Sequence, residues 1–273
     1  MLGASRISQQ NLRESLDAIY DDPARRDSLA EAGTGVLSVV DAADRERSLR
    51  SLWSDTATAD SVKEGVLAQL FGSRVPELTT EVVGRVITSR WSNASDMMDA
   101  MEESAASLLF MAAEVAGRLD TVEEELFRFD RSLDASPELQ MALSNPATPP
   151  EAKVALVQDL LDGKSDPITE ELLVYLAGHL HGRHMSAAVT QLSALAAVRR
   201  GRVVAEVTSA IELTEEQKSR LTTALSNIQG RQVLVNVTVD PNVIGGIQVR
   251  VGDEVIDGTL ATRIEQARRR LTS

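Results

Sequence analysis

Leu49 to Phe71 reads LRSLWSDTATADSVKEGVLAQLF, and Leu139 to Leu161, 90 residues further on, reads LQMALSNPATPPEAKVALVQDLL. Laid over each other without a gap, the two share Leu49/Leu139, Ser54/Ser144, Ala57/Ala147, Thr58/Thr148, Lys63/Lys153 and Leu70/Leu160. The overlay continues from TTEVVGRVI (Thr79 to Ile87) to TEELLVYLA (Thr169 to Ala177). The apolar pairs Val66/Leu156, Val82/Leu172, Val83/Leu173 and Val86/Leu176 stay in phase. Apolar residues recur at three and four, the period of a helix packed on one face. Chance likeness of two Ala/Leu-rich helices is the alternative. The ungapped run favours an internal helical repeat.

Outward from this stretch, residues 1 to about 200 read almost entirely as helix. Gly and Pro are sparse there, and Ala, Leu, Glu and Arg dominate. Thr148-Pro149-Pro150-Glu151 predicts a helix start, with the hydroxyl at the cap and Glu as its box partner. Ser136-Pro137-Glu138 and Asp166-Pro167 predict further starts. Gly117 and Asp162-Gly163 predict stops. Short helices on short loops make an antiparallel bundle.

Near Arg199-Arg200-Gly201 the texture changes. Arg202 to Leu213 is rich in β-branched residues and predicts a strand. Thr214-Glu215-Glu216-Gln217 is a capping box for a helix to about Gln229, stopped by Gly230. Gln232 to Val239 alternates Val233, Val235, Val237 and Val239 against Leu234, Asn236 and Thr238, a strand with one buried face. Val243 to Val251 and Val255-Ile256 predict two more strands, turned at Gly252-Asp253. A last helix ends in Arg268, Arg269 and Arg270. The expected fold is mainly α: a helical bundle region, duplicated, then a small α/β domain. Its divisions are an additional helical region (1–100), a second helical bundle (101–200) and a β-α-β-β-α unit (201–273).

The chain has 273 residues and a net charge of −13. Residues 1–100 carry −5, residues 101–200 carry −8, and the tail is neutral. Such a chain repels phosphate backbones, which argues against nucleic acid as a partner. Aromatics are 3% and cysteine is absent, so stacked-base binding, disulfides and thiolate chemistry have no support. No apolar leader is read at the start. The longest nearly apolar stretch, Leu108 to Gly117, is broken by Glu114 and is too short to span a bilayer.

Candidate chemistry fails on geometry. Gly163-Lys164-Ser165 lacks the earlier Gly and the preceding strand of a phosphate loop, and reads as a helix stop. His179, His181 and His184 cluster, but their spacing does not share a helix face as metal ligands need, so they read as solvated or loop residues. Glu123-Glu124-Glu125 and Glu170-Glu171 point in different directions and suit solvated faces near helix starts. Gly245-Gly246 sits in strand context and predicts a bulge or close backbone approach. No catalytic residue, cofactor or metal site is expected.

The tail VDPNVIGGIQVRVGDEVIDGTLATRIEQARRRL, Val239 to Leu271, resembles the C-terminal signature of F-type ATP synthase delta subunits. Their mitochondrial equivalent is the oligomycin sensitivity-conferring protein. Asp240, Pro241, Ile244, Gly245, Gly246, Gly252, Asp253, Val255, Ile256, Asp257, Gly258 and Thr259 carry the match. Ala205 to Gln217, Leu143 to Leu161, Leu109-Phe110 and Gly117 to Asp120 are similar to other family segments. The likeness covers roughly 100–273. With the extra front region it resembles the long actinobacterial form, not fused to a b-type stalk subunit.

The resemblance implies a non-catalytic stator subunit, linking the catalytic head to the peripheral stalk so that proton-driven rotation is coupled to ATP synthesis. Its partners would be the alpha-subunit N-termini and b-type stalk subunits. Its place would be the cytoplasmic face of the plasma membrane, as a peripheral part of the complex with no direct membrane insertion. By family position, Leu108, Leu109, Ala112, Leu172, Leu173, Leu176 and Leu180 would line the groove for the alpha N-terminal helix, between the family domain's first and fifth helices. Plain bundle core is the competing role for each. The tail signature would shape the small sheet rather than touch a ligand. Ala105 stands where the family often has Tyr, which removes an aromatic anchor from the groove edge. Residues 1–100 would be a second, degenerate bundle that contacts the stalk or stacks on the first. The alternative is a free-standing helical adaptor or regulatory protein.

Overall fold

The computed structural model describes residues 3–201, 203–229, 233–240, 245–251 and 254–257. They divide into two compact units, parting at Arg199/Arg200.

The first unit is all helix: α1 (Gly3–Asp21), α2 (Leu29–Arg45), α3 (Arg47–Ser54), α4 (Asp60–Phe71), α5 (Glu77–Thr88), α6 (Ala94–Val115), α7 (Leu119–Ala135), α8 (Pro137–Ser144), α9 (Pro150–Leu161), α10 (Pro167–Gly178) and α11 (Met185–Arg200). A 3-10 segment (Pro23–Ser28) joins α1 to α2. No described helix is long and apolar enough to cross a membrane.

The 90-residue offset runs through the element boundaries. Moved by 90, α2, α3, α4 and α5 fall on α7, α8, α9 and α10 residue for residue at both ends. The same shift carries α1 close to α6, and α6 close to α11. Helix α6 therefore stands both as the last helix of the first set and as the first of the second. Local chemistry repeats too. Asp55 Oδ1 accepts from Ala57 N, and Asn145 Oδ1 from Ala147 N, both at 2.9 Å. These Asx turns re-aim the chain between paired helices. Val82, Val83 and Val86, like Leu172, Leu173 and Leu176, are buried.

Most of the predicted punctuation holds. Ser136 Oγ accepts from Leu139 N and caps α8. Asp166 Oδ1 accepts from Ile168 N at 2.9 Å and caps α10. Gly117 and Gly163 take φ of +67° and +63°, the left-handed turn that ends a helix and that a Cβ disfavours. The start of α9 is shifted: Pro149 holds the cap position and Pro150 is the first helical residue, so Thr148 makes no capping bond.

The second unit holds β1 (Val203–Ser209), α12 (Glu215–Gln229), β2 (Val233–Val239), β3 (Ile247–Val251) and β4 (Glu254–Asp257). Sheet order is β2-β1-β3-β4, with β1 and β2 parallel and the other pairs antiparallel. The α12 crossover makes the parallel pair possible. Ala205, Val207, Leu225, Val233, Val235 and Val249 form its core. The alternation of β2 fades at its end, where Val239 is exposed. The capping box at α12 is present: Thr214 N donates to Gln217 Oε1 at 2.9 Å, and Gln217 N to Thr214 Oγ1 at 3.3 Å.

Strand β1 stops at Ser209, earlier than its sequence suggests, because Ser209 Oγ turns onto the Ile211 backbone. Strand β3 starts at Ile247, after Gly245 and Gly246 at φ +63° and +84°. Only glycine adopts such angles cheaply, which is why the pair precedes the strand. Pro241, Ile244, Gly252, Asp253, Gly258, Thr259 and the last expected helix with its arginines lie outside the described residues.

Candidate helix-binding cleft

Helix α6 is the spine of the helical unit, and α2 is pressed against it. A Cβ on Gly33 would lie 2.8 Å from Leu109 Cγ and 3.2 Å from Ala105 O. A Cβ on Gly35 would lie 2.3 Å from Thr79 Oγ1. Thr79 is fully buried and donates to Ala32 O at 3.1 Å, so it cannot yield. Gly33 is what lets α2 approach α6 this closely, and Gly35 what lets it approach α5. The packing also accounts for Ala105, which is fully buried where α2 crosses, so the site has no room for a larger ring.

The residues of the expected groove divide accordingly. Leu108, Leu109 and Leu173 are completely buried and belong to the packed interior. Leu180 is buried in the turn after α10, and Ala112 is partly exposed near the end of α6. Leu172 and Leu176 line a cleft, together with Ala106 of α6 and Leu192 and Leu195 of α11. Leu37 of α2 also borders it. Leu172 and Leu176, themselves buried, thus border the cleft, while Leu108, Leu109 and Leu173 do not line it. The Ala188, Gln191, Leu192, Leu195 spacing on α11 was the sequence signal for this wall, at i, i+3, i+4 and i+7.

The rim is acidic and held in place. Tyr175 OH donates to Glu102 Oε1 at 3.2 Å, and Arg183 Nη2 donates to Glu102 Oε2 at 3.1 Å. Arg13 donates to Glu103 Oε1 at 2.6 Å. Asp99, also on the rim, has its pKa raised, chiefly by burial and then by neighbouring carboxylates, against the opposing charge of Arg183. Burial and the Glu102 and Asp44 carboxylates push the Tyr175 phenol well up, so it stays a donor. The free space is about 30 Å³, room for roughly one water. A helix would therefore seat along the rim, or part α11 from α10.

The three histidines lie in the loop between α10 and α11, as expected, and two of them have carboxylate partners. His179 stacks on Tyr175 at 4.2 Å between centroids, and its Nε2 lies 3.1 Å from Asp41 Oδ1. His181, at φ +48°, places Nε2 3.0 Å from Asp44 Oδ2. Both acids lie on α2, so this loop ties the two helical sets together. Spacing along one chain could not show partners 138 residues away. No group of His, Asp or Glu suited to a metal occurs among the described residues.

A second tie closes the other end. Arg199, 4% exposed, pairs with Asp17 of α1 at 3.3 Å and with Glu114 of α6. Its guanidinium lies 4.0 Å over the Tyr20 ring. Glu125, read as a solvated carboxylate, instead accepts from Asp166 N at 2.9 Å and steadies the start of α10.

The family model for the ATP synthase delta (OSCP) subunit matches residues 102–271. A Streptomyces griseus protein named ATP synthase subunit delta is 43% identical over 99% of both chains. One of the same name from Acidothermus cellulolyticus is 39% identical over the full length of both. A chain of the Toxoplasma gondii mitochondrial ATP synthase hexamer matches at 20% identity over 62% of this chain and 95% of its own. Its TM-score of 0.28 is too low for a structural argument. The family model begins inside α6, whereas the bacterial relatives extend through the front helices as well. The chain belongs to the ATP synthase delta (OSCP) subunit family.

Proposed function

We propose that this chain is the non-catalytic stator subunit of an F-type ATP synthase. It links the alpha-subunit N-termini of the catalytic head to b-type subunits of the peripheral stalk, so that proton-driven rotation is coupled to ATP synthesis. It works as a peripheral component at the cytoplasmic face of the plasma membrane. The observation that carries this reading is the cleft between α6, α10 and α11. Leu172, Leu176, Leu192 and Leu195 give it an apolar floor of the kind an amphipathic helix needs, and acidic Asp99, Glu102 and Glu103 edge it. The rim favours a helix with basic residues flanking its apolar face. The neutral α/β unit holds the C-terminal helices of the stalk, its glycine and aspartate signature shaping the sheet. The front helices are a degenerate copy of the second set and stack on it through α2.

The test is binding of a peptide copying the alpha N-terminus to the full chain. Leu195→Asp, at a half-buried cleft position, is expected to keep the helical circular dichroism and lose at least tenfold in affinity. A folded Leu195→Asp protein that binds the peptide undiminished rules the cleft out. Leu173→Asp would test folding instead, because Leu173 is fully buried.

A further inference from the structure

The loop between α10 and α11 holds two imidazoles against α2. His179 has an acceptor at each ring nitrogen: Nδ1 lies 2.9 Å from Tyr175 O, and Nε2 lies 3.1 Å from Asp41 Oδ1. A neutral imidazole has one N–H and serves only one of them, whereas the imidazolium serves both. His181 places Nε2 3.0 Å from Asp44 Oδ2. Leu37, Asp41 and Asp44 stand at i, i+4 and i+7 of α2, on one face of that helix. Leu37 borders the helix-binding cleft, so one face of α2 serves both the cleft and the loop. The loop reaches the rim as well. Tyr175, stacked on His179, and Arg183 both donate to Glu102, and Arg183 also donates to His179 O at 3.2 Å. Met185 opens α11 directly after the loop, and α11 supplies the cleft wall with Leu192 and Leu195.

Charges of both signs surround the two imidazoles. Arg45 of α2 shares Asp41, and Arg50 of α3 shares Asp44. Asp99 and Glu102 of α6 and Arg183 of the loop act on His181 through space, and Lys153 of α9 lines a hollow with it. The Asp44 contact outweighs burial and raises the His181 pKa. The cleft has only about 30 Å³ of free space, so a helix that sinks below the rim must part α11 from α10. That movement pulls on the loop joining them. We infer that the loop is a proton-operated latch on the cleft: with His179 and His181 protonated it is held to α2 and the cleft stays shut, and with both neutral α11 parts from α10 and a partner helix enters. The inference rests on the cleft being the helix-binding site. Protonated imidazoles also repel a basic helix, so both effects tighten binding as pH rises.

The experiment is calorimetric titration of the full chain with the alpha N-terminal peptide at about pH 6 and about pH 8, on either side of the ordinary histidine range. Affinity is expected to be about fivefold higher at the upper pH, the low end for coupled sites because the His181 side chain is half exposed. The His179→Gln/His181→Gln variant is expected to bind equally at both. Asp99→Asn removes a rim carboxyl whose pKa is raised chiefly by burial, and is expected to keep the change. An affinity independent of pH, a change that survives the loss of both histidines, or one that disappears in Asp99→Asn overturns the latch. Should the histidine variant not fold, Asp41→Asn/Asp44→Asn replaces it on the same criteria. A second readout needs no peptide. Amide exchange of residues 179–190, corrected for its intrinsic pH dependence, is expected to show more protection at the lower pH in the wild type and no difference in the variant. Equal protection in the wild type overturns the latch whatever the peptide does. The expected protection with no peptide binding at either pH supports the latch and refutes the cleft as the binding site.

Discussion

The two helical sets share their boundaries and their buried pattern, yet they differ in the side chains around the α6, α10 and α11 cleft of the second. The difference lies in a few side chains. Ninety residues before Glu102 and Ala106 stand Leu12 and Leu16, both buried on α1. They belong to a set whose Val82 and Val86 are also buried. The neighbouring contact differs as well. In the front set, α2 meets α6 through Gly33 and α5 through Gly35. In the second, the equivalent α7 positions are Glu123 and Glu125, and α7 touches α11 through a polar contact, Ser186 Oγ to Asp130 Oδ1 at 2.8 Å. At this position the front set carries two buried leucines and the second a cleft lined by Leu172, Leu176, Leu192 and Leu195. Helices that share their boundaries can thus carry different side chains at a shared position, which is where the proposed binding cleft lies.

The comparison can be broken most severely in the front set. Leu16→Ala removes a side chain that is 2% exposed, and is expected to cost about 3 kcal/mol through lost transfer energy and the remaining cavity. Urea unfolding measures it. A loss below about 1 kcal/mol would mean that the front set is not tightly packed at this position.

The reverse exchange sharpens it. Ala106→Leu places in the second set the residue that the first carries there. We expect a folded protein, about 1–3 kcal/mol less stable than wild type, with at least tenfold weaker binding of the alpha N-terminal peptide. Calorimetric titration of both proteins settles this, and unchanged affinity would separate the cleft from the binding site.

The smallest effect is on pH dependence. The front equivalent of the His179–His184 loop runs from Ser89 to Ala94 and has no histidine; Trp91 closes it, donating Nε1–H to Val86 O at 2.7 Å. In the second set, the hydrogen bond to Asp44 raises the His181 pKa, with burial opposing and the Asp44 and Glu102 charges adding to the rise. Burial raises the Asp44 carboxyl too, but His181, His179 and Arg50 more than offset this and hold it low. A folded pKa above the unfolded one stabilises fully below the unfolded value, near 6.5. That contribution is lost as pH rises through the folded value. The NMR midpoint of His181 is expected above 6.5 and should fall in Asp44→Asn. A midpoint untouched by that substitution would dissociate the loop from α2.

Much of the fold was legible because it rests on local rules. Ser136, Asp166 and the Thr214–Gln217 box cap helices as their side chains dictate, and Gly117 and Gly163 stop them. The cleft was legible only in part. Leu172 and Leu176 fall in the same apolar run as Leu173, yet the first two border the cleft and the third does not. Phase gives the face of a helix and does not say which neighbour covers it. Leu109 was indistinguishable in sequence from a groove residue until Gly33 was seen to lie against it. Nor could the sequence pair His181 with Asp44, or Arg199 with Asp17, across so many intervening residues.

By itself, then, the sequence determined the helices, their ends, the 90-residue recurrence and the alternation that makes β2 a half-buried strand. These follow from backbone geometry and short-range capping, which act within a few residues. Tertiary structure alone decided which apolar faces are spent on the interior and which stay available, and which histidines are tied down. Those outcomes depend on what packs against each face, and packing is settled between segments that are far apart in the chain.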